Sequence, residues 1–139
     1  MLVNYWLCVT NEENWDVVRK KKVWGVPRAN KRLIESVKRG DLLVFYVSPK
    51  SIRGIFEAVS EPYEDDKRIF SSGKFGKSEI FPHRVKVKPV AIAKKPLPFD
   101  DLIPKLKFIT NKKMWTGHLR RAMRRIPEED YKLILDCIR

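Results

Sequence analysis

Val23-Trp24-Gly25-Val26-Pro27-Arg28-Ala29-Asn30-Lys31-Arg32-Leu33-Ile34-Glu35-Ser36-Val37-Lys38-Arg39-Gly40-Asp41-Leu42-Leu43-Val44-Phe45-Tyr46-Val47-Ser48 is the stretch on which the fold turns. Its last part, Leu42 to Val47, is apolar without interruption, so both faces of the strand it forms are expected to be buried, in a closed or two-layered sheet. Before it, Asn30 can cap a short basic helix that buries Leu33, Ile34 and Val37 and stops before Gly40. Before that, Trp24 lies beside Gly25 and reads as a loop residue. A flat aromatic face and several cations therefore sit at the mouth of a β-structure, the two things that a stacked nucleobase and its phosphate require.

Working outward, Val3 to Val9 alternates and is rich in aromatics, which predicts a strand. Thr10 and Glu13 have capping-box spacing, so a helix is expected from there, carrying Trp15 and Val18 inward and fading in Arg19-Lys20-Lys21-Lys22. Downstream, Ser48-Pro49-Lys50-Ser51 is a turn and Ile52 to Val59 returns as the partner strand, with Gly54 marking a bulge or a close approach. Pro62 to Gly76 reads as loop: an acidic half with Glu64, Asp65 and Asp66, then a Gly/Ser half with Phe70 and Phe75. His83 to Lys88 alternates, with Val85 and Val87 inward and Arg84, Lys86 and Lys88 outward. A last helix starts at Pro127 and buries Tyr131, Ile134, Leu135 and Ile138. The expectation is one α+β domain over residues 1–139: a mixed, barrel-like sheet with helices inserted after the first strand and a helix at the C-terminus.

The 30 Lys and Arg against 17 Asp and Glu give a net charge of +13, enough to attract polyanions with a salt-dependent affinity. The chain has no glutamine and is dense in Lys, Arg and Glu, as in proteins from hot environments, but that habit raises charge of both signs. The excess is local. Residues 19–39 hold nine basic side chains and one acid, and residues 102–127 hold eight and none. If 119–125 is helical, Arg120/Arg124 and Arg121/Arg125 stack at i, i+4 and repel unless an anion answers them. No apolar run reaches the roughly 18 residues of a membrane span, and no signal-peptide order opens the chain. A soluble, cytoplasmic protein with Cys8 and Cys137 as buried, reduced thiols is expected. Two cysteines and the unclustered His83 and His118 are too few for a zinc site, and no cofactor motif is present.

Asn4-Tyr5-Trp6-Leu7, Trp24-Gly25, Gly40-Asp41-Leu42-Leu43-Val44-Phe45-Tyr46, Gly54-Ile55-Phe56, Pro82 to Val87 and Ile126-Pro127-Glu128-Glu129-Asp130-Tyr131 follow in an order that resembles the EVE domain family over essentially the whole chain. That family belongs to the PUA-like superfamily and is related to YTH domains, which read methylated adenine in RNA. The resemblance implies a PUA-like pseudo-barrel whose pocket accepts one splayed-out base, often a modified one, between aromatic side chains. It matches Trp24 to the cage tryptophan, places Thr10, Asn11 and Asn14 at the polar positions after the first strand, and sets Ser48 just past the strand that floors the pocket. A second cage aromatic should come from Phe70, Phe75 or Phe81, with Phe75 favoured between Gly73 and Gly76. Bacterial members usually read Trp-Asp-Gly-Val-Arg-Asn; here Arg28 and Asn30 stand in shifted register.

From these readings the leading function is a non-catalytic nucleic-acid-binding module, RNA ahead of DNA. Its base pocket comprises Trp24, Thr10, Asn11, Asn14, Asn30, Ser48 and Phe75, and its phosphate surface Arg28, Lys31, Arg32, Lys112, Lys113, Arg120, Arg121, Arg124 and Arg125. A domain of this kind without an effector of its own leaves room for a protein partner. The competing readings are a nuclease or base-modifying enzyme on the same scaffold, and a basic domain acting only within a larger assembly. No nucleophile near a histidine, metal-spaced carboxylates or phosphate-cradling glycine loop supports the enzyme. Trp6 and Trp15 are expected in the core. Trp115 is placed equally well against a nucleic acid or over the last helix.

Overall fold

The computed structural model describes residues 2–72, 76 and 78–139 of the chain. The alternating N-terminal segment and the apolar run at 42–47 meet side by side: β1 (Tyr5–Thr10) runs parallel to β3 (Leu42–Val47), with Leu7 opposite Val44. Parallel neighbours need a crossover. It is made by α1 (Glu12–Lys21), β2 (Val23–Val26), a 3-10 turn at Arg28–Asn30 and α2 (Lys31–Glu35). β4 (Ser51–Ala58) returns antiparallel to β3, and the long β6 (His83–Pro98) runs antiparallel to β4. β2 and the short β5 (Tyr63–Glu64) both pair with β6, while β7 (Met123–Ile126) closes on the other side of β1. The path β2-β6-β4-β3-β1-β7 is a mixed sheet curled into a half-barrel, and α3 (Glu128–Ile138) ends the chain. This is the α+β architecture expected from the sequence.

β3 is buried on both faces, as its composition requires. Leu43, Phe45 and Val47 join Trp6, Trp15, Val18, Trp24 and Val85 in one cluster; Val44 and Tyr46 join Ile52, Ile55, Phe99, Leu106 and Ile134 in the other. Each fully buried Leu, Ile or Phe contributes about 1.5–3 kcal/mol. Gly54 marks both features expected of it. The pairing slips between Ile52 and Gly54, and a Cβ at residue 54 would lie 3.0 Å from Trp15 Cη2 and 3.1 Å from the Ala91 carbonyl oxygen. The Asp41 carboxylate accepts from Trp6 Nε1 (3.0 Å) and from the backbone N–H groups of Asn4 and Lys38, tying the start of β1 to the turn before β3.

Several local expectations are corrected. Asn11 caps α1, accepting the Asn14 N–H at 2.8 Å, because Thr10 is still in β1. Asn30 makes no side-chain capping bond, since a 3-10 turn already leads into α2. Trp24 is a strand residue paired with Val85. Residues 119–125 are not a helix: a 3-10 turn ends at Leu119 and β7 begins at Met123, drawn out by pairing with Cys8 on β1. Arg84 is buried, and Cys137 is exposed on α3.

Candidate nucleic-acid interface

The end of β1, the first turn of α1 and β2 converge around a cleft of about 300 Å³. Trp24 forms part of its wall. The ring is only 3% exposed and packs edge-on against Phe45, centroids 5.2 Å apart. Trp24 is therefore a core residue that also borders the cleft, rather than an open stacking platform. Its indole N–H has no hydrogen-bond partner, alone among the buried side-chain polar atoms of the described residues, at a cost of about 1–3 kcal/mol.

Thr10, Asn11, Asn14 and Ser48 all border this cleft. Asn14, expected to read a base, is committed to structure: Oδ1 accepts the Ser71 N–H (2.7 Å) and Nδ2 donates to the Ser71 carbonyl (3.0 Å), pinning the loop against α1. Asn11 uses Oδ1 for the cap, so its amide oxygen is already engaged. The exposed Ser48 hydroxyl donates to the Thr10 carbonyl at 3.2 Å. Asn30 does not reach the cleft.

Of the three loop aromatics, Phe81 lines the cleft, Phe70 is buried behind it at 5.9 Å between centroids, and Phe75 lies outside the described residues. Phe81 has φ +53°, a left-handed conformation that costs an L-residue roughly 1–2 kcal/mol. Its N–H donates to Glu79 Oε1 at 3.0 Å and its carbonyl accepts Arg84 Nε at 2.9 Å. Arg84 was expected to point outward; instead residues 65–67 and 80–81 close over that side of β6 and cover it. Burial pushes the guanidinium below the usual arginine value, opposed chiefly by the Asp65 carboxylate. The acidic cluster thus supplies ion-pair partners, with Glu61 near Arg39 (3.7 Å) and Glu64 near His83 (3.6 Å).

A second cleft, about 640 Å³, adjoins the first and shares Arg120 and Arg121 with it; Arg124, Arg125, Gly117, His118 and Leu33 complete its lining. The four arginines converge as expected, but through a turn and a strand rather than a helix. Arg120 and Arg121 are exposed and make no ion pair among the described residues. Arg124 lies 4.7 Å over the Phe108 ring; burial, then the charge of Arg121, lowers its pKa, and Asp130 opposes them. Arg125 bonds Asn4 Oδ1 and lies 6.0 Å over Trp6.

The other predicted cations are elsewhere. Arg28 donates to the Ser78 carbonyl and lies 3.8 Å from Glu79, while Lys112 Nζ donates to the Ile103 and Leu106 carbonyls. Lys31, Arg32 and Lys113 are exposed and border neither cleft. Trp115 covers Phe99 at 5.5 Å, with Lys50 Nζ 5.9 Å above it. Among the described residues no group of three or more His, Cys, Asp or Glu could hold a metal, and no helix is long and apolar enough to cross a membrane.

A family model described as the EVE domain matches residues 4–137. The chain belongs to the EVE domain family. A UPF0310 protein of Pyrococcus abyssi is 54% identical over 142 residues, covering 95% of this chain and 97% of that protein. Among solved structures, the YTH domain of Zygosaccharomyces rouxii MRB1 in complex with N6-methyladenosine RNA superposes with a TM-score of 0.66 at 19% identity, covering 100% of this chain and 91% of that one. Human THYN1 in complex with 5-methylcytosine containing DNA gives 0.67 at 18%, covering 96% of each. The EVE chain thus has the PUA-like fold. Arg84 and Ser71 were not singled out from the sequence as determinants of the cleft, and Phe81 was offered as a cage aromatic behind Phe75.

Proposed function

We propose that this EVE domain is a nucleic-acid-binding module that draws one base of a single strand into the cleft beside Trp24 and Phe81. The neighbouring phosphates rest on Arg120, Arg121 and the arginine-lined cleft. The observation that carries this reading is the shared wall: a small, partly aromatic cleft and a cationic one meet at the same two arginines. A volume near 300 Å³ is at the small end of ligand clefts, suited to one ring system rather than an extended cofactor. Around it the Asn11 amide, Ser48 and Thr10 offer polar groups to a base edge. A site that hydrogen-bonds an edge rejects analogues that leave its buried groups unpaired.

The MRB1 YTH domain and THYN1 complexes contain methylated bases, and a methylated base is the ligand class this reading puts first. A methyl carbon seated on an apolar wall adds only about 0.8 kcal/mol, so preference for it depends on how closely Phe81 and Trp24 approach it. The role is binding without chemistry, with RNA ahead of DNA. The test is titration of labelled RNA and DNA single strands, unmodified or containing N6-methyladenine or 5-methylcytosine, at two salt concentrations, with recovery of each oligomer afterwards. The expected result is salt-sensitive binding to all, about tenfold (some 1.4 kcal/mol) preference for one base, and intact oligomers. Equal affinity for every oligomer, or cleaved product, would overturn it.

A further inference from the structure

We infer that Arg84 is the positioning residue for the loop-side wall of the cleft, and through that wall a determinant of base preference although it borders no ligand; this rests on the base-pocket reading above. Arg84 is 1% exposed and sits on β6 beside Val85, the partner of Trp24. Its guanidinium reaches both ends of the loop between β5 and β6. At the exit it donates from Nε to the Phe81 carbonyl (2.9 Å) and from Nη2 to that of Ile80 (3.1 Å). At the entry it donates to the Lys67 carbonyl, with Nη1 3.6 Å from the Asp65 carboxylate. One planar group therefore clasps two segments that are more than a dozen residues apart, which the rigid guanidinium fork can do and a lysine ammonium cannot.

The clasp acts on the cleft directly. Phe81, whose carbonyl Arg84 holds, is a wall residue kept at positive φ. The Arg84 guanidinium also lies 5.4 Å over the Phe70 ring, which backs Phe81. The packing continues to the residue beside Trp24: a Cβ at Gly25 would lie 2.7 Å from Phe70 Cε2, 3.0 Å from the Phe81 carbonyl oxygen and 3.2 Å from Arg84 Cγ. Movement of Arg84 is thus transmitted to both aromatic sides of the cleft, while Arg120 and Arg121 come from a different part of the chain.

The test compares the wild type with Arg84→Lys, which keeps the charge and loses the fork. Two quantities are read: the affinity ratio of a strand carrying the preferred base to one abasic at that position, and the salt slope for the abasic strand. The expected result is a ratio reduced about fivefold, an unchanged salt slope, and faster amide exchange at residues 65–68 and 79–82. A merely structural role would lower stability and leave the ratio alone. If Arg84→Lys does not fold, Asp65→Asn, which removes the charge partner and keeps the guanidinium bonds, is expected to lower the ratio about twofold. An unchanged ratio in the folded variant overturns the positioning role. A ratio of one in the wild type overturns the base-pocket reading, and the inference with it.

Discussion

The two faces of β3 are both buried, yet they are built differently. Behind Val44 and Tyr46 the packing is apolar and regular, and its buried carboxylate, Asp130, is satisfied by the N–H groups of Lys107 and Phe108 at 2.9 Å each. Beyond Phe45 lie an indole N–H with no partner, a buried guanidinium and a phenylalanine at positive φ. Each of these costs stability; the indole and the phenylalanine line the cleft, and the guanidinium holds the Phe81 carbonyl behind it. Unfavourable features concentrate where a fold keeps a site open rather than filling it. On the proposed reading, stability rests on one face and recognition on the other.

The largest effect should come from the regular face. Ile134→Ala is expected to lose about 2–5 kcal/mol in urea unfolding, with the base-to-abasic affinity ratio of the folded fraction unchanged; a loss below about 1 kcal/mol would mean that face is loosely packed. On the cleft face, Trp24→Ala would excavate the core and cost about 3–5 kcal/mol, so it does not isolate recognition. Trp24→Phe is the sharper variant. It keeps a ring and removes the unpaired donor, so the stability loss should stay below about 2 kcal/mol while the preference for a base over an abasic site falls about tenfold. A larger stability loss with the preference intact would make Trp24 a core residue only.

Arg120→Ala with Arg121→Ala is predicted to act on the other component of binding. Two lost phosphate contacts should flatten the logarithmic salt slope for a single strand by about 1.4 and weaken every oligomer alike, with stability changed by no more than about 0.5 kcal/mol. A change confined to one base would move these arginines into the base pocket. The smallest effect separates the thiols. Burial raises the Cys8 pKa well above its ordinary value, whereas Cys137 is exposed. Brief treatment of native protein with a thiol reagent should label Cys137 alone, and both after denaturation; rapid labelling of Cys8 would show that the β1 core opens.

The strand and helix framework was legible because it depends on local pattern: the uninterrupted apolar run at 42–47, the Gly54 irregularity and the stripe of α3 were all found in place. So were Thr10, Asn11, Asn14, Ser48 and Trp24 around one cleft. What escaped the sequence depends on distant chain. Alternation puts Arg84 on the side opposite Val85, but the segments that cover that side are nowhere implied by the strand itself. Asn14 has the residue type of a base reader, and only the arrival of Ser71 reveals it as a tie. The 119–125 arginines carry helical spacing, which pairing of Met123 with Cys8 overrides. Cys137 has apolar neighbours in sequence, but on a helix those neighbours occupy a different face.

The most direct test of the division between the faces is a thermodynamic cycle. Wild type and Trp24→Phe are each titrated with a strand carrying the preferred base and with the same strand made abasic, at two salt concentrations. The account predicts a wild-type preference of about tenfold that is nearly abolished in Trp24→Phe, with equal salt slopes for both proteins. Equal wild-type affinity for the two strands would contradict it, leaving a cationic surface beside a cleft that reads nothing.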